Sequence, residues 1–290
     1  MLPKKPKPED NPNAMKSGGA YMPPHKLRAL HAAIEDKTSE PYQRLTWTAL
    51  KKSLNGLVNK VNTENIKEIV VELFGENLVR GKGLFIRSIM TAQTQATPFT
   101  NVYAAMVAVI NTKFPDIGDL LLDRLILQFK RSYLRNQKAI CQSTVMFIGH
   151  LVNQQVANEI LVLEVLTLLL EKATPDSVEL TIALLKEVGQ RLDDLSPRAM
   201  HGIFDRLRSL LQEGDLNIRV KYMIEVMFAV RKDKFKDHPT FGPGLELVEE
   251  EDQITHLKTL DDKVKGLEIL NVFKLDADYA ESEAKYALIK

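Results

Sequence analysis

Residues 157–192 read ANEILVLEVLTLLLEKATPDSVELTIALLKEVGQRL, and their pattern decides the fold. Ile160, Leu163, Leu166 and Leu170 recur at three- and four-residue intervals and form one apolar stripe, which Val162, Val165, Leu168 and Leu169 widen. A helix apolar over so much of its circumference needs neighbours on more than one side. Thr174-Pro175 then opens a second helix. The threonine hydroxyl can accept from an orphan amide N–H, and proline at the first helical position gives up no hydrogen bond. In that second helix Leu180, Leu184 and Val188 return every four residues. The unit is a helical hairpin, and neither half can bury its apolar face alone.

The same punctuation recurs outward from this hairpin. Thr97-Pro98 and Ser196-Pro197 pair a hydroxyl with a proline, and Phe114-Pro115-Asp116 is a related break. Between such marks lie stretches of about 14 to 20 residues, each several turns long. The spacing predicts about ten helices in antiparallel pairs. These are 46–61 with 64–75, 77–95 with 99–113, 116–134 with 137–154, 157–172 with 176–192, and 197–213 with 218–232. A two-helix period of roughly 35 to 40 residues is the mark of HEAT-like repeats, which bury apolar faces by stacking and leave long surfaces for partners. The expected fold is all-α, an α-α superhelix of about five HEAT-like helical-hairpin repeats.

The flanks differ. Residues 1–20 carry Pro, Lys, Gly and Asn and little that could offset the cost of ordering, so a disordered head is expected. The solenoid is assigned to 21–240. After Phe241-Gly242-Pro243-Gly244 the periodicity stops; 241–262 reads as an acidic linker and 263–290 as a C-terminal helical extension, amphipathic from about residue 266. The final Ala284-Lys285-Tyr286-Ala287-Leu288-Ile289-Lys290 stops mid-helix, as a truncated end would.

Composition excludes several functions. Lysine plus arginine total 39 against 38 acids, so net charge announces neither nucleic acid nor membrane. One cysteine, Cys141, can form neither an intramolecular disulfide nor a thiolate metal cage, which favours cytosol or nucleus; its neighbours Ile140, Val145 and Met146 place it in the core. No charge-free apolar run approaches about 18 residues, so no membrane partner is expected. Pro3-Lys4-Lys5-Pro6-Lys7 reads as a nuclear import fragment or a solvated basic tail. The six histidines are scattered without the i, i+4 spacing of a helical zinc site, so neither metal nor cofactor is expected. His150 reads as a satisfied helix histidine. Arg80-Gly81-Lys82-Gly83 lacks the phosphate-loop spacing and reads as a helix junction. Glu249-Glu250-Glu251-Asp252 is a solvated run or an acidic docking segment. No constellation supports catalysis, and an enzyme is not expected.

Basic groups gather at helix ends: Lys51 and Lys52; Lys130, Arg131 and Arg135; Arg231, Lys232, Lys234 and Lys236. Such cations complement the helix dipole, or they face an acidic protein or an RNA backbone. Lys130, Arg131 and Arg135 are the RNA-facing candidates. Few aromatics interleave with them, so base stacking is not indicated.

Specific strings then narrow the reading. They are Gly18-Gly19-Ala20-Tyr21-Met22-Pro23-Pro24-His25-Lys26-Leu27, Tyr42-Gln43-Arg44-Leu45-Thr46-Trp47, Leu50 to Asn62 (LKKSLNGLVNKVN), and Val220 to Pro239. Together they closely resemble the Cwc-twenty-two, or nucampholin, family of spliceosomal splicing factors. The Leu57 to Val61 string and the Arg231 region are also similar to the wider family of middle domains of initiation factor 4G. The resemblance implies a middle domain that binds the DEAD-box helicase initiation factor 4A-III of the exon junction complex. It further implies that the domain holds the two helicase lobes apart and delivers the helicase to the spliceosome in the nucleus, with RNA contact secondary. By position, it implies helicase contacts at Gly56, Asn59 and Lys60, with Arg231 and Lys232 as weaker correspondences. Those residue types suit the task. Glycine admits close approach, asparagine can donate and accept, and lysine is a compact cation for an acidic patch.

Overall fold

The structure, a computed structural model, describes residues 38–213 and 216–289. The head at 1–20 and its basic fragment Pro3-Lys4-Lys5-Pro6-Lys7 lie outside those residues. Among the described residues ten helices form five successive hairpins: α1 (Glu40–Lys60) with α2 (Ile66–Gly75), α3 (Leu78–Gln95) with α4 (Thr100–Lys113), α5 (Pro115–Leu134) with α6 (Lys138–Asn153), α7 (Glu159–Glu171) with α8 (Pro175–Leu195), and α9 (Pro197–Glu213) with α10 (Ile218–Lys232). An eleventh, α11 (Tyr279–Ile289), closes the chain.

Of the expected hydroxyl caps, the one at Thr174 is built. Thr174 Oγ1 accepts from the Ser177 amide at 3.1 Å while Ser177 Oγ accepts from the Thr174 amide at 2.9 Å, so two orphan donors are satisfied reciprocally. At Thr97-Pro98 a short 3-10 turn, Thr97–Phe99, precedes α4. The largest departure is the start of α1 at Glu40 rather than residue 46, with Pro41 in the first turn, where its missing N–H costs nothing. Arg80-Gly81-Lys82-Gly83 is no junction either; it lies inside α3. Its glycines serve packing. A Cβ on Gly81 would press on Leu54 and Leu50, and one on Gly83 would strike the Leu270 carbonyl.

The second helices α2, α4, α6, α8 and α10 stack on one another through the ladder. Phe85, Phe129, Phe147 and Phe204 are buried between layers, each contributing about 1.5–3 kcal/mol by leaving water. Cys141 is buried as expected, and burial pushes its thiol pKa up against a hydrogen bond with Ser132. The first helices pack less evenly. α1 and α3 lie tightly together, whereas α5 and α7 barely touch.

Beyond α10 the chain turns back. Lys234 and Phe235 both take left-handed backbone, φ 54°, and Phe235 is buried on Gly189, where a Cβ would collide with the ring. From there 240–278 runs as a strap along the solenoid to the first hairpin, held by side chains bonding to backbone. Gln154 Nε2 donates to the Leu245 carbonyl at 3.0 Å, and Asn111 Nδ2 to that of Ile254 at 2.6 Å. His256 pairs with Ala157 in a single parallel bridge. Lys258 Nζ sits 2.8 Å from both Asp119 and Asp123. Arg124, buried in α5, donates to the carbonyls of Gly266 (2.7 Å), Gly83 (3.2 Å) and Leu267 (3.3 Å). Gln43 exchanges two bonds with Asp276, at 2.8 and 2.9 Å. α11 then docks with Tyr286 stacked 5.9 Å from Phe114 and its hydroxyl donating to the Phe74 carbonyl at 3.1 Å. Helix in the extension is confined to α11 and a 3-10 turn, Glu268–Asn271. Between them the Asp276 backbone and the Phe273 ring contact α1. The run Glu249-Glu250-Glu251-Asp252 is exposed.

Two half-buried imidazoles give this assembly a pH dependence. His256 Nε2 lies 2.8 Å from Asn111 Oδ1; burial lowers its pKa, Asp119 opposing. His150 is likewise lowered by burial, with Glu187 opposing at 3.4 Å. Above the ordinary value of 6.5 both are neutral folded or unfolded, and stability is full. As pH falls below it, the unfolded chain takes up protons that the folded one refuses, so stability drops until the depressed folded values are passed. Thermal melts between about pH 7.5 and about pH 5 are expected to fall more steeply for the native chain than for His256→Gln.

Candidate functional site

The α1–α2 turn is built by two asparagines. The Asn62 amide donates to Asn65 Oδ1 at 2.7 Å, Asn62 Oδ1 accepts from the amides of Glu64 (2.8 Å) and Asn65 (3.0 Å), and Asn65 Nδ2 donates to the Lys60 carbonyl at 2.9 Å. This lock satisfies a carbonyl that the last turn of α1 would leave open, and it fixes the direction in which the helix end points. Asn62 and Asn65 were not singled out from sequence; the signal available was two Asx-turn formers three apart after a helix.

On the α1 end that this lock presents, Leu57 and Val58 are buried while Asn59 and Lys60 are exposed. Lys60 enters no ion pair among the described residues. Gly56 lies one turn back, and a Cβ there would meet nothing within 4 Å. Packing inside this chain therefore does not require glycine at that position, unlike Gly81 or Gly83. Gly56→Ala is expected to raise stability by about 0.5–1 kcal/mol, since it relieves the entropy cost of a mid-helix glycine; a chemical melt reads this directly.

The other candidates are distributed differently. Arg231 is engaged within the fold: its guanidinium pairs with Asp193 at 3.2 Å and lies 4.4 Å above the Phe204 ring. Lys232 beside it is exposed. Both stand at the C-terminal end of α10, a second helix, whereas Asn59 and Lys60 end a first helix. In an antiparallel ladder these are opposite edges, so one partner surface touching both would span the solenoid. Arg131 and Arg135 are exposed, but Lys130 is half-buried in an apolar groove between α5 and α7. Arg131 and Arg135 do not line that groove.

No trio of His, Cys, Asp or Glu among the described residues is placed to hold a metal. No described helix is long and apolar enough to cross a membrane.

Comparison with known families agrees with this ladder of hairpins: the MIF4G domain matches residues 51–234. The chain belongs to the MIF4G domain family. The matched MIF4G region starts within α1, just before Gly56, and ends at the turn after α10. Similar proteins include a "Pre-mRNA-splicing factor CWC22 homolog" from Gallus gallus, 56% identical over 287 residues, which are 99% of this chain and 31% of the relative. The "Pre-mRNA-splicing factor cwc22" of Aspergillus fumigatus is 57% identical over 276 residues, 95% of this chain and 31% of its own length. The Homo sapiens "Pre-mRNA-splicing factor CWC22 homolog" is 55% identical over 287 residues, 99% and 32%. The chain therefore spans about a third of the length of the curated relatives it matches. The family resemblance read from Leu50 to Asn62 and from Val220 to Pro239 is borne out, as is the all-α superhelix.

Proposed function

We propose that this MIF4G chain is a nuclear pre-mRNA splicing scaffold, not an enzyme. Its task is to bind the DEAD-box helicase initiation factor 4A-III, hold it open and inhibited, and deliver it to the spliceosome. The observation that carries the reading is the end of α1. Asn59 and Lys60 are exposed there on a turn fixed by Asn62 and Asn65, beside a glycine that this chain's own packing does not need. Relatives named as splicing factors over nearly the whole chain supply the setting. The mechanism is mechanical. A scaffold with higher affinity for the open helicase than for its closed, ATP- and RNA-bound form shifts the equilibrium by that difference and by no more.

The test is RNA-stimulated ATPase of the helicase titrated with this chain. Turnover is expected to fall to a plateau as the scaffold saturates. Unchanged turnover at saturation overturns the reading. Stimulation would instead mark a translation-type scaffold, and salt-sensitive RNA binding without any helicase would mark an RNA-binding solenoid.

A further inference from the structure

The poor contact between α5 and α7 has a consequence. Where adjacent first helices should close, they leave a groove of about 660 Å³, floored and walled by Phe129, Tyr133, Leu163 and Leu168. That volume falls within the range of ligand-binding clefts. Two side chains on its lips are apolar yet exposed, Leu134 at 80% and Ile160 at 40%. The strap adds Leu260 to the lining, its amide donating to Glu164 at 2.6 Å. The trough follows α7 from Ile160 to Glu171, about 16 Å at the helical rise, which is the length of a three-turn helix.

Charge restricts what can lie there. The lining holds three carboxylates, on Glu164, Glu171 and Asp261, against the single ammonium of Lys130. Glu171 and Asp261 enter no ion pair among the described residues. An RNA strand would bring phosphates to these carboxylates, and an acidic peptide would fare no better. An amphipathic helix with apolar anchors at i, i+4 and i+7 and lysine or arginine on its flanks matches both floor and rim. We infer that the α5–α7 groove receives a short basic amphipathic helix from a partner protein. Leu260 is the chain's own example of an apolar side chain seated at that place. The site is in the third and fourth hairpins, away from Asn59 and Lys60 in the first, and does not depend on the helicase reading.

The experiment titrates the full chain into a fluorescein-labelled synthetic three-turn peptide with leucines at i, i+4 and i+7 and flanking lysines, read by anisotropy. Saturable binding is expected. Leu134→Glu, a change at a fully accessible side chain, is expected to weaken it about tenfold or more. Glu171→Lys is expected to weaken it comparably and to transfer preference to the same peptide with flanking glutamates. Asn59→Asp with Lys60→Glu should leave it unchanged. A photo-crosslinker at Thr167, used in whole-cell extract and mapped by mass spectrometry, should mark a partner segment with the same apolar spacing and basic flanks. No saturable binding, affinity indifferent to Leu134→Glu or Glu171→Lys, or a crosslink to RNA, to an acidic segment or to a second copy of this chain overturns the proposal.

Discussion

Asn59→Asp combined with Lys60→Glu is expected to abolish co-purification of the helicase while the helical circular dichroism persists. Both side chains are exposed at the last turn of α1. The bond that organises the turn there uses the backbone carbonyl of Lys60, not its ammonium. The fold therefore keeps its turn, and the change costs stability only through two acidic groups at a helix C-terminus, about 0.3–1 kcal/mol each. Binding has more to lose. Reversing a cation and adding an anion where a partner presents carboxylates forfeits the contact and introduces repulsion, about 2–5 kcal/mol for a desolvated charge pair. That corresponds to about thirtyfold to several thousandfold in Kd. A pull-down with purified helicase, beside the dichroism of the same sample, measures both. Retained binding would remove the α1 end from the interface.

Arg124→Ala is expected to damage the body itself. Its guanidinium ties α3, α5 and the strap together, through three carbonyls on Gly83, Gly266 and Leu267. Alanine leaves those acceptors without their donor and opens a void beneath the strap. Removing one partner of buried charge-assisted bonds costs about 3 kcal/mol, or about 6–12 °C in Tm for a chain of this size. Amide exchange separates this from general loosening: protection should fall first at 266–278 and in α11 and last in α6 and α8. Gly83→Ala offers a second check, because its Cβ would run into the Leu270 carbonyl and lift the same stretch while the Arg124 side chain stays in place.

The hairpins were legible because their signals are local. Thr174-Pro175 and Ser196-Pro197 mark helix starts by residue chemistry alone, and the stripe from Ile160 to Leu170 fixes a period without reference to anything distant. The strap was not legible, because its holds join residues far apart: Asn111 to Ile254, Gln154 to Leu245, Gln43 to Asp276. Each is one polar side chain reaching one carbonyl or amide, and no spacing records that. Arg124 left a trace, being a charge on the face of α5 shared by Leu121 and Leu125, but it stands mid-helix, away from the helix ends where the basic groups gather. Gly83 misled in the same way. Two glycines near Lys82 read as a helix junction, when the space they leave is taken by other parts of the chain. At the candidate site, Asn59-Lys60 alone describes any polar helix end; only the family resemblance gave it meaning. The Arg231 region carried a resemblance too, yet the Arg231 guanidinium is already paired with Asp193 and stacked on Phe204.

The bond pair between Gln43 and Asp276 joins positions 233 residues apart. A stack in which each unit touches only its neighbours unzips from whichever terminus is weaker, one unit at a time. Here the segment after the last hairpin is fastened to the first described one, so neither end of the described ladder is free to fray alone, and the array is expected to melt as a closed circuit in one cooperative step. The same closure is slow to make, because the entropy of so long a loop must be surrendered before its contacts give anything back.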